Sequence, residues 1–184
     1  RSSDLGERGV RLMTFVPGAV ASAHPRSSTR VVVRALVSSV SVAEACAPLV
    51  CELVARATGL AVAATARRLG DDAALDVVIA RERPRAGMAP LALDAVMAQS
   101  SSLLERTAPL AGLVEGGLVL VGSKGNVPPS PALLFEDRGA RVASSPLPSA
   151  KGDEATKQLV AATSGLACAA AVRIARAPIE AAEL

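Results

Sequence analysis

The chain has 184 residues, 51% of them hydrophobic and 20% charged, with a formal net charge of +3. A chain of this length buries roughly 70% of the surface its unfolded form exposes, so one α/β domain spanning 1–184 is expected, held without disulfides or metal. Aromatic residues make up only 1%, with two Phe and no Trp or Tyr, which argues against a reader of single-stranded nucleic acid that stacks bases on aromatic platforms.

The first nine residues are polar. Val10 to Val16 reads as an early strand ended by Pro17-Gly18, and Ala19 to Ser28 as a loop around His24-Pro25. Thr29 to Val37 is β-branched and nearly continuous, the pattern of a strand covered on both faces. Ser41 to Glu44 (SVAE) has the form of a capping box, which predicts a helix through Ala57 that stops at Thr58-Gly59. Pro48 belongs in a first turn, so the helix is expected to start late or bend there. Leu60 to Ala66 is a strand, Arg67 to Asp72 a turn, and Leu75 to Ala80 a second clear strand. Arg81 to Pro90 is a long loop whose RERPR segment reads as solvated.

Leu91 to Ala98 is the third clear strand. Ser101 to Val114 is predicted as a helix with a second capping box, Ser102 to Glu105, and an internal Pro109. Glu115-Gly116-Gly117 turns the chain into a fourth clear strand, Leu118 to Gly122. Ser123 to Pro131 is irregular. Ala132 to Ser144 suits a hairpin turning at Glu136 to Gly139, and a long Ala-rich helix runs from Asp153 to Arg176, closed by Pro178. Strands alternating with helices predict a mostly parallel or mixed sheet with helices on both faces, a Rossmann-like three-layer α/β arrangement with a long C-terminal helix.

In such sheets ligands sit beyond the carboxyl ends of the strands. Three loops there combine hydroxyls, small residues or a lysine: Ser39 and Ser41 after the first clear strand, Gln99, Ser100, Ser101 and Ser102 after the third, and Ser123, Lys124 and Asn126 after the fourth. Free N–H groups at helix starts suit a small anion. The same serines serve equally well as N-caps worth ~1 kcal/mol each, and Gly-Asn-Pro-Pro is what a turn requires. Neither GxGxxG nor GxxxxGK[ST] occurs. His24 is the single histidine available as a base, no GxSxG elbow accompanies it, and no catalytic residue is assigned.

Cys46, Cys51 and Cys168 are an odd number without CxxC spacing and lie in apolar helical patterns, where free Cys acts as a small buried hydrophobe. An intracellular, reducing compartment, cytoplasm or organelle matrix, is expected. One His and three dispersed Cys do not make a metal site. The most apolar run, Leu159 to Val172, is shorter than the ~20 residues of a membrane span, so a buried helix is expected and no membrane partner. The preponderance of Ala, Val, Arg, Gly and Pro fits a GC-rich genome.

The order strand, QSSS, helix ending in Pro-Leu, Gly-Gly, strand from Asp94 to Ser123 resembles the gamma domain of 2-oxoacid:ferredoxin oxidoreductases. The proline-rich loop that follows and the closing helix with Gly165 and PIEAAEL (Pro178 to Leu184) are similar in order, and Gly9 to Gly18 is similar to that family's early strand. The family's glycine-rich N-terminal loop is absent, Arg26-Ser27-Ser28 stands where Arg-Gly-Gly is expected, and Glu44 to Pro90 would be an insertion. No thiamine diphosphate contact is therefore carried over, and no cofactor is specified. The resemblance implies a subunit that supports a partner's active site. Thr29 to Glu82 also resembles the effector-binding half of bacterial regulators. Two functions follow: a non-catalytic α/β subunit of a larger assembly with other protein subunits as partners, or a domain, enzymatic or not, that binds a small anionic molecule at the serine and glycine loops.

Overall fold

The computed structural model describes residues 29–84, 92–106, 112–122, 140–145 and 153–176. The expected early strand, His24, the Ser123 to Pro131 loop, the first arm and turn of the 132–144 hairpin, and Pro178 lie outside these residues.

The strand β1 (Arg30–Val37) leads to the helix α1 (Val40–Thr58). An antiparallel pair follows, β2 (Ala61–Leu69) and β3 (Asp72–Ala80), joined at Gly70, whose φ of 63° supplies the left-handed turn. Then come β4 (Leu93–Ala98), the short helix α2 (Ser101–Arg106), β5 (Leu113–Gly122), β6 (Arg141–Ser145) and the long helix α3 (Asp153–Arg176). The six strands form one mixed sheet in the order β2-β3-β1-β4-β5-β6. β1, β4, β5 and β6 run parallel, and β3 pairs antiparallel with both β1 and β2.

Alternation along β1 sorts its side chains into two cores. Val31, Val33, Ala35 and Val37 face α1 and α3, meeting Cys46, Val50 and Val54 of the former and Leu159, Ala167 and Ile174 of the latter. Val32 and Leu36 face the opposite way, into a core with Val96, Leu103, Leu104 and Val119 that α2 closes. Helices thus cover both faces, the three-layer arrangement expected. We call the α1–α3 side the first face and the α2 side the second.

Five local expectations change. α1 begins at Val40 with Ser39, extended at φ −152°, as N-cap, and no side chain makes the capping bond; Ser41 is already helical, so the Ser41–Glu44 box does not form. α1 also runs through Pro48, which is exposed together with Glu44. The carbonyl that loses its N–H partner there faces water, which keeps the cost of an internal proline down. The second helix is assigned only through Arg106, and Leu113 and Val114 belong to β5. Glu115-Gly116-Gly117 is no turn between elements but an irregularity inside β5. Leu113 pairs with Leu93 and Leu118 already with Ala95, so β5 loops out between them with Gly116 at φ 65°. A Cβ at Gly117 would stand 2.7 Å from Leu113 Cδ1, so any larger residue there requires the Leu113 side chain to move. The 132–144 segment yields β6 at its end, and β6 runs parallel to β5.

α3 buries two hydroxyls, Thr163 Oγ1 and Ser164 Oγ, that find no hydrogen-bond partner. A buried unsatisfied hydroxyl is destabilising, and its isosteric replacement by methyl removes the penalty. Thr163→Val is therefore expected to leave stability unchanged or raise it by up to about 1 kcal/mol, read from the urea unfolding midpoint.

Candidate functional site

β1 and β4 are parallel neighbours, yet the chain leaves them in opposite directions. After β1 it turns onto the first face as α1, and after β4 onto the second as α2. A crevice at the carboxyl ends of two such strands is the usual ligand position in open α/β sheets. The structure brings two of the three predicted loops together there. Gln99 N–H donates to Leu36 O at 3.0 Å. The Gln99 side-chain carbonyl accepts from Ser38 N–H at 3.2 Å and from Ser38 Oγ at 3.3 Å. Gln99 is thus the staple between the loops.

The serines pair among themselves. Ser39 Oγ and Ser41 Oγ are 2.7 Å apart, and Ser100 Oγ and Ser102 Oγ 2.9 Å apart. Ser101 opens α2, with Leu103 N–H donating to Ser100 O at 3.2 Å. Because Ser39 Oγ is turned to Ser41, the N–H groups of the first turn of α1 stay uncapped by a side chain, and no acidic residue stands in that turn. That end of α1 is electropositive. The third predicted loop, with Ser123, Lys124 and Asn126, lies outside the described residues; β5 delivers the chain to it from Val121, which pairs with Ala98 at the same edge of the sheet.

Sequence reasoning missed two charged clusters. On the second face Asp76 is 2% exposed and receives two arginines. Arg34 grips it bidentately, Nε to Oδ1 at 2.6 Å and Nη2 to Oδ2 at 3.1 Å, and Arg67 Nε reaches Oδ2 at 3.0 Å. At the opposite edge from the serines, Asp94 Oδ2 accepts from Val32 N–H at 2.9 Å, and Oδ1 from Arg173 of α3 at 2.6 Å. A cavity of about 200 Å³ opens beside that pair, lined by Gly116, Leu118, Arg141, Ala169 and Ala170. The signal lay in the strands: an Arg inside RVVVRALV and an Asp inside LDVVIA or LALDAVMA must be neutralised if the strand is buried. The RERPR segment also differs from a purely solvated loop, since Arg81 Nη2 donates to Ile174 O near the end of α3 at 3.0 Å.

Cys46 is buried, Cys51 and Cys168 are half-buried, and all three are free thiols. Burial raises each thiol above its ordinary range; at Cys51 a backbone hydrogen bond with Ala64 offsets part of the rise. None is primed as a nucleophile.

No protein-family model matches the sequence, and no curated protein matches it. Solved structures similar in fold do exist. The gamma subunit of a keto/oxoacid ferredoxin oxidoreductase from Geobacter sulfurreducens is 17% identical with a TM-score of 0.49, over 81% of this chain and 86% of that one. The pyruvate oxidoreductase subunit PORC from Thermotoga maritima is 13% identical with a TM-score of 0.42, over 77% and 95%. A 2-oxoglutarate:ferredoxin oxidoreductase from Magnetococcus marinus is 12% identical with a TM-score of 0.45 over 83% of this chain, which spans 32% of that one. The similar structures come from the group of oxidoreductases that the stretch from Asp94 to Ser123 resembles.

Two outcomes follow from this geometry. Ser39→Ala is expected to cost less than about 0.5 kcal/mol, below the ~1 kcal/mol of a working N-cap, since no cap bond is lost; urea unfolding measures it. The raised thiols favour the folded state fully below roughly pH 8.5, the ordinary thiol value. That contribution is lost as pH climbs through the folded values, because the unfolded chain ionises first. The unfolding midpoint is expected to fall between pH 8 and 10, and to fall less in Cys46→Ala than in the parent chain.

Proposed function

We propose that this chain is a non-catalytic α/β subunit of a larger protein assembly. The observation that carries the reading is the outer side of the helical layer on the first face. Leu49 and Leu53 of α1 are 45% and 44% exposed, and Val172 of α3, which packs beside α1, is exposed as well. Single exposed leucines are ordinary on any surface. Leu49 and Leu53 are four residues apart on one helix, however, and form a continuous apolar ridge, the kind of patch that marks a protein interface. The proposal extends to the chain's task there, which is to support a partner's active site, and to an intracellular, reducing compartment suited to its free thiols.

A second reading is favoured by the uncapped start of α1 in the β1–β4 crevice: a domain that binds a small anionic molecule between Ser39, Ser41, Gln99, Ser100, Ser101 and Ser102, with Ser123, Lys124 and Asn126 completing the site. Under it, inorganic phosphate or a small carboxylate raises the melting temperature of the isolated chain.

Native mass spectrometry of the chain purified gently from its source separates the two. A stoichiometric complex with other chains is expected; a lone chain retaining a small molecule overturns the subunit reading. Leu49→Lys with Leu53→Lys is expected to remove the chain from the complex while changing its own stability by no more than about 0.5 kcal/mol per exposed site. Retention of the double variant at the parent level counts against α1 as the docking helix.

A further inference from the structure

On the first face α3 packs chiefly over β1 and β4, while β5 and β6 carry the sheet on beyond it. The residues that α3 sets toward β5 near its end are small, Ala169 and Ala170, and the corner between helix and strand stays open as the cavity of about 200 Å³. Leu118 lines it from β5, with its side chain packed on the first-face core. Arg141 of β6 stands opposite Leu118 in register. Its neighbour Val142 packs on the second-face core, so alternation sets Arg141 on the first face, beside Leu118.

The two arginines of the cavity differ in what already holds them. Arg173 Nη2 donates to Asp94 Oδ1 at 2.6 Å and to Arg30 O at 3.4 Å, and Asp94 Oδ2 accepts the Val32 N–H. That wall is polar and satisfied within itself. Arg30 and Glu115, close by on β1 and β5, have partners of their own. Arg141, by contrast, makes no hydrogen bond or ion pair among the described residues. Its backbone is fixed by strand pairing, and its guanidinium stands at the rim as a fork suited to a carboxylate.

Size and lining narrow the ligand. Pockets for drug-sized molecules measure about 300–1,000 Å³, so a cavity of about 200 Å³ is too small for a nucleotide. One uncommitted cation balances one negative charge; a second carboxylate, or a phosphate dianion, would bring its further charge up to Asp94 without a partner. Leu118, Ala169 and Ala170 offer an apolar floor for a hydrocarbon tail. We infer that this corner binds a short-chain aliphatic monocarboxylate, with its carboxylate on Arg141 and its tail over Leu118, Ala169 and Ala170. The site lies at the opposite edge of the sheet from the serine loops. It goes beyond the subunit reading and does not depend on it.

The test is an NMR titration of the full chain with butanoate, and with butanamide as its uncharged analogue. Butanoate is expected to bind in the millimolar range and to shift the methyl resonances of Leu118, Ala169 and Ala170. Butanamide is expected to bind at least about tenfold more weakly, given what hydrogen bonds between charged groups contribute. Arg141→Gln is expected to weaken butanoate by a similar factor, and Arg141→Lys by less. Ala169→Leu, at an exposed helical position that tolerates leucine, is expected to fill the corner and abolish binding at an unchanged urea midpoint. Arg68→Gln, at an exposed arginine of β2, is expected to bind as the parent does. Absence of butanoate shifts, equal binding of butanamide, Arg141→Gln titrating like the parent, or equal loss in Arg68→Gln overturns the inference. Shifts confined to the loops around Ser39 and Gln99 place the anion in the β1–β4 crevice and overturn it too. The shift map of the parent chain decides the matter even where a variant fails to fold, and no outcome bears on whether the chain joins an assembly.

Discussion

β1 lies between β3 and β4 with a hydrophobic core on each side, so every residue along it answers to two neighbours at once. Its parallel pairing with β4 and antiparallel pairing with β3 join the two halves of the sheet. A slip of one residue in either pairing would carry Val31, Val33, Ala35 and Val37 from the first face to the second and bring Arg34 under α1 and α3. Both cores and the charge at residue 34 thus set one register. The position of every other element, including the loops that leave β1 and β4, follows from it.

The charged residues inside the strands make that register costly to violate. Arg34 stands directly opposite Asp76, and a buried carboxylate without its partner costs about 3–5 kcal/mol. Asp94 performs a related task at the other end of the sheet. It takes the N–H of Val32 from the backbone ladder and ties it to Arg173 of α3. The alternation of β4 changes phase there, with Leu93 in the second-face core and Ala95 and Met97 in the first. A carboxylate that substitutes for a ladder acceptor lets the strand shift phase without orphaning a buried N–H.

How far this was legible depended on the range of the interactions. The β-branched runs of β1, β3 and β4 announced strands, and α3 runs from Asp153 to Arg176 as its Ala-rich pattern predicts, because both signals are local. LAGLV was assigned to a helix although its last residues enter β5, since a short apolar run has no period of its own. Gly116-Gly117 read as a turn because glycine pairs break elements; only the partner β4 reveals that the strand resumes. The capping-box spacing put the start of α1 at Ser41, whereas the helix starts at Val40 with Ser39 as its N-cap. The meeting of the two serine elbows could be expected from α/β topology. The Arg34–Asp76–Arg67 cluster could not be assembled the same way, because its residues are paired by strand register over 42 positions of sequence.

What distinguishes the elbows from the α1 ridge is whether binding must first break something. At the elbows Ser38 and Gln99 are bonded to each other, and the four paired hydroxyls satisfy one another. A ligand entering the crevice would have to replace those bonds, each worth about 1 kcal/mol net, before gaining from the uncapped end of α1. The α1 ridge of Leu49 and Leu53 gives up only water. That contrast between the α1 ridge and the crevice supports our proposal of one member of an assembly over a receptor for a small molecule.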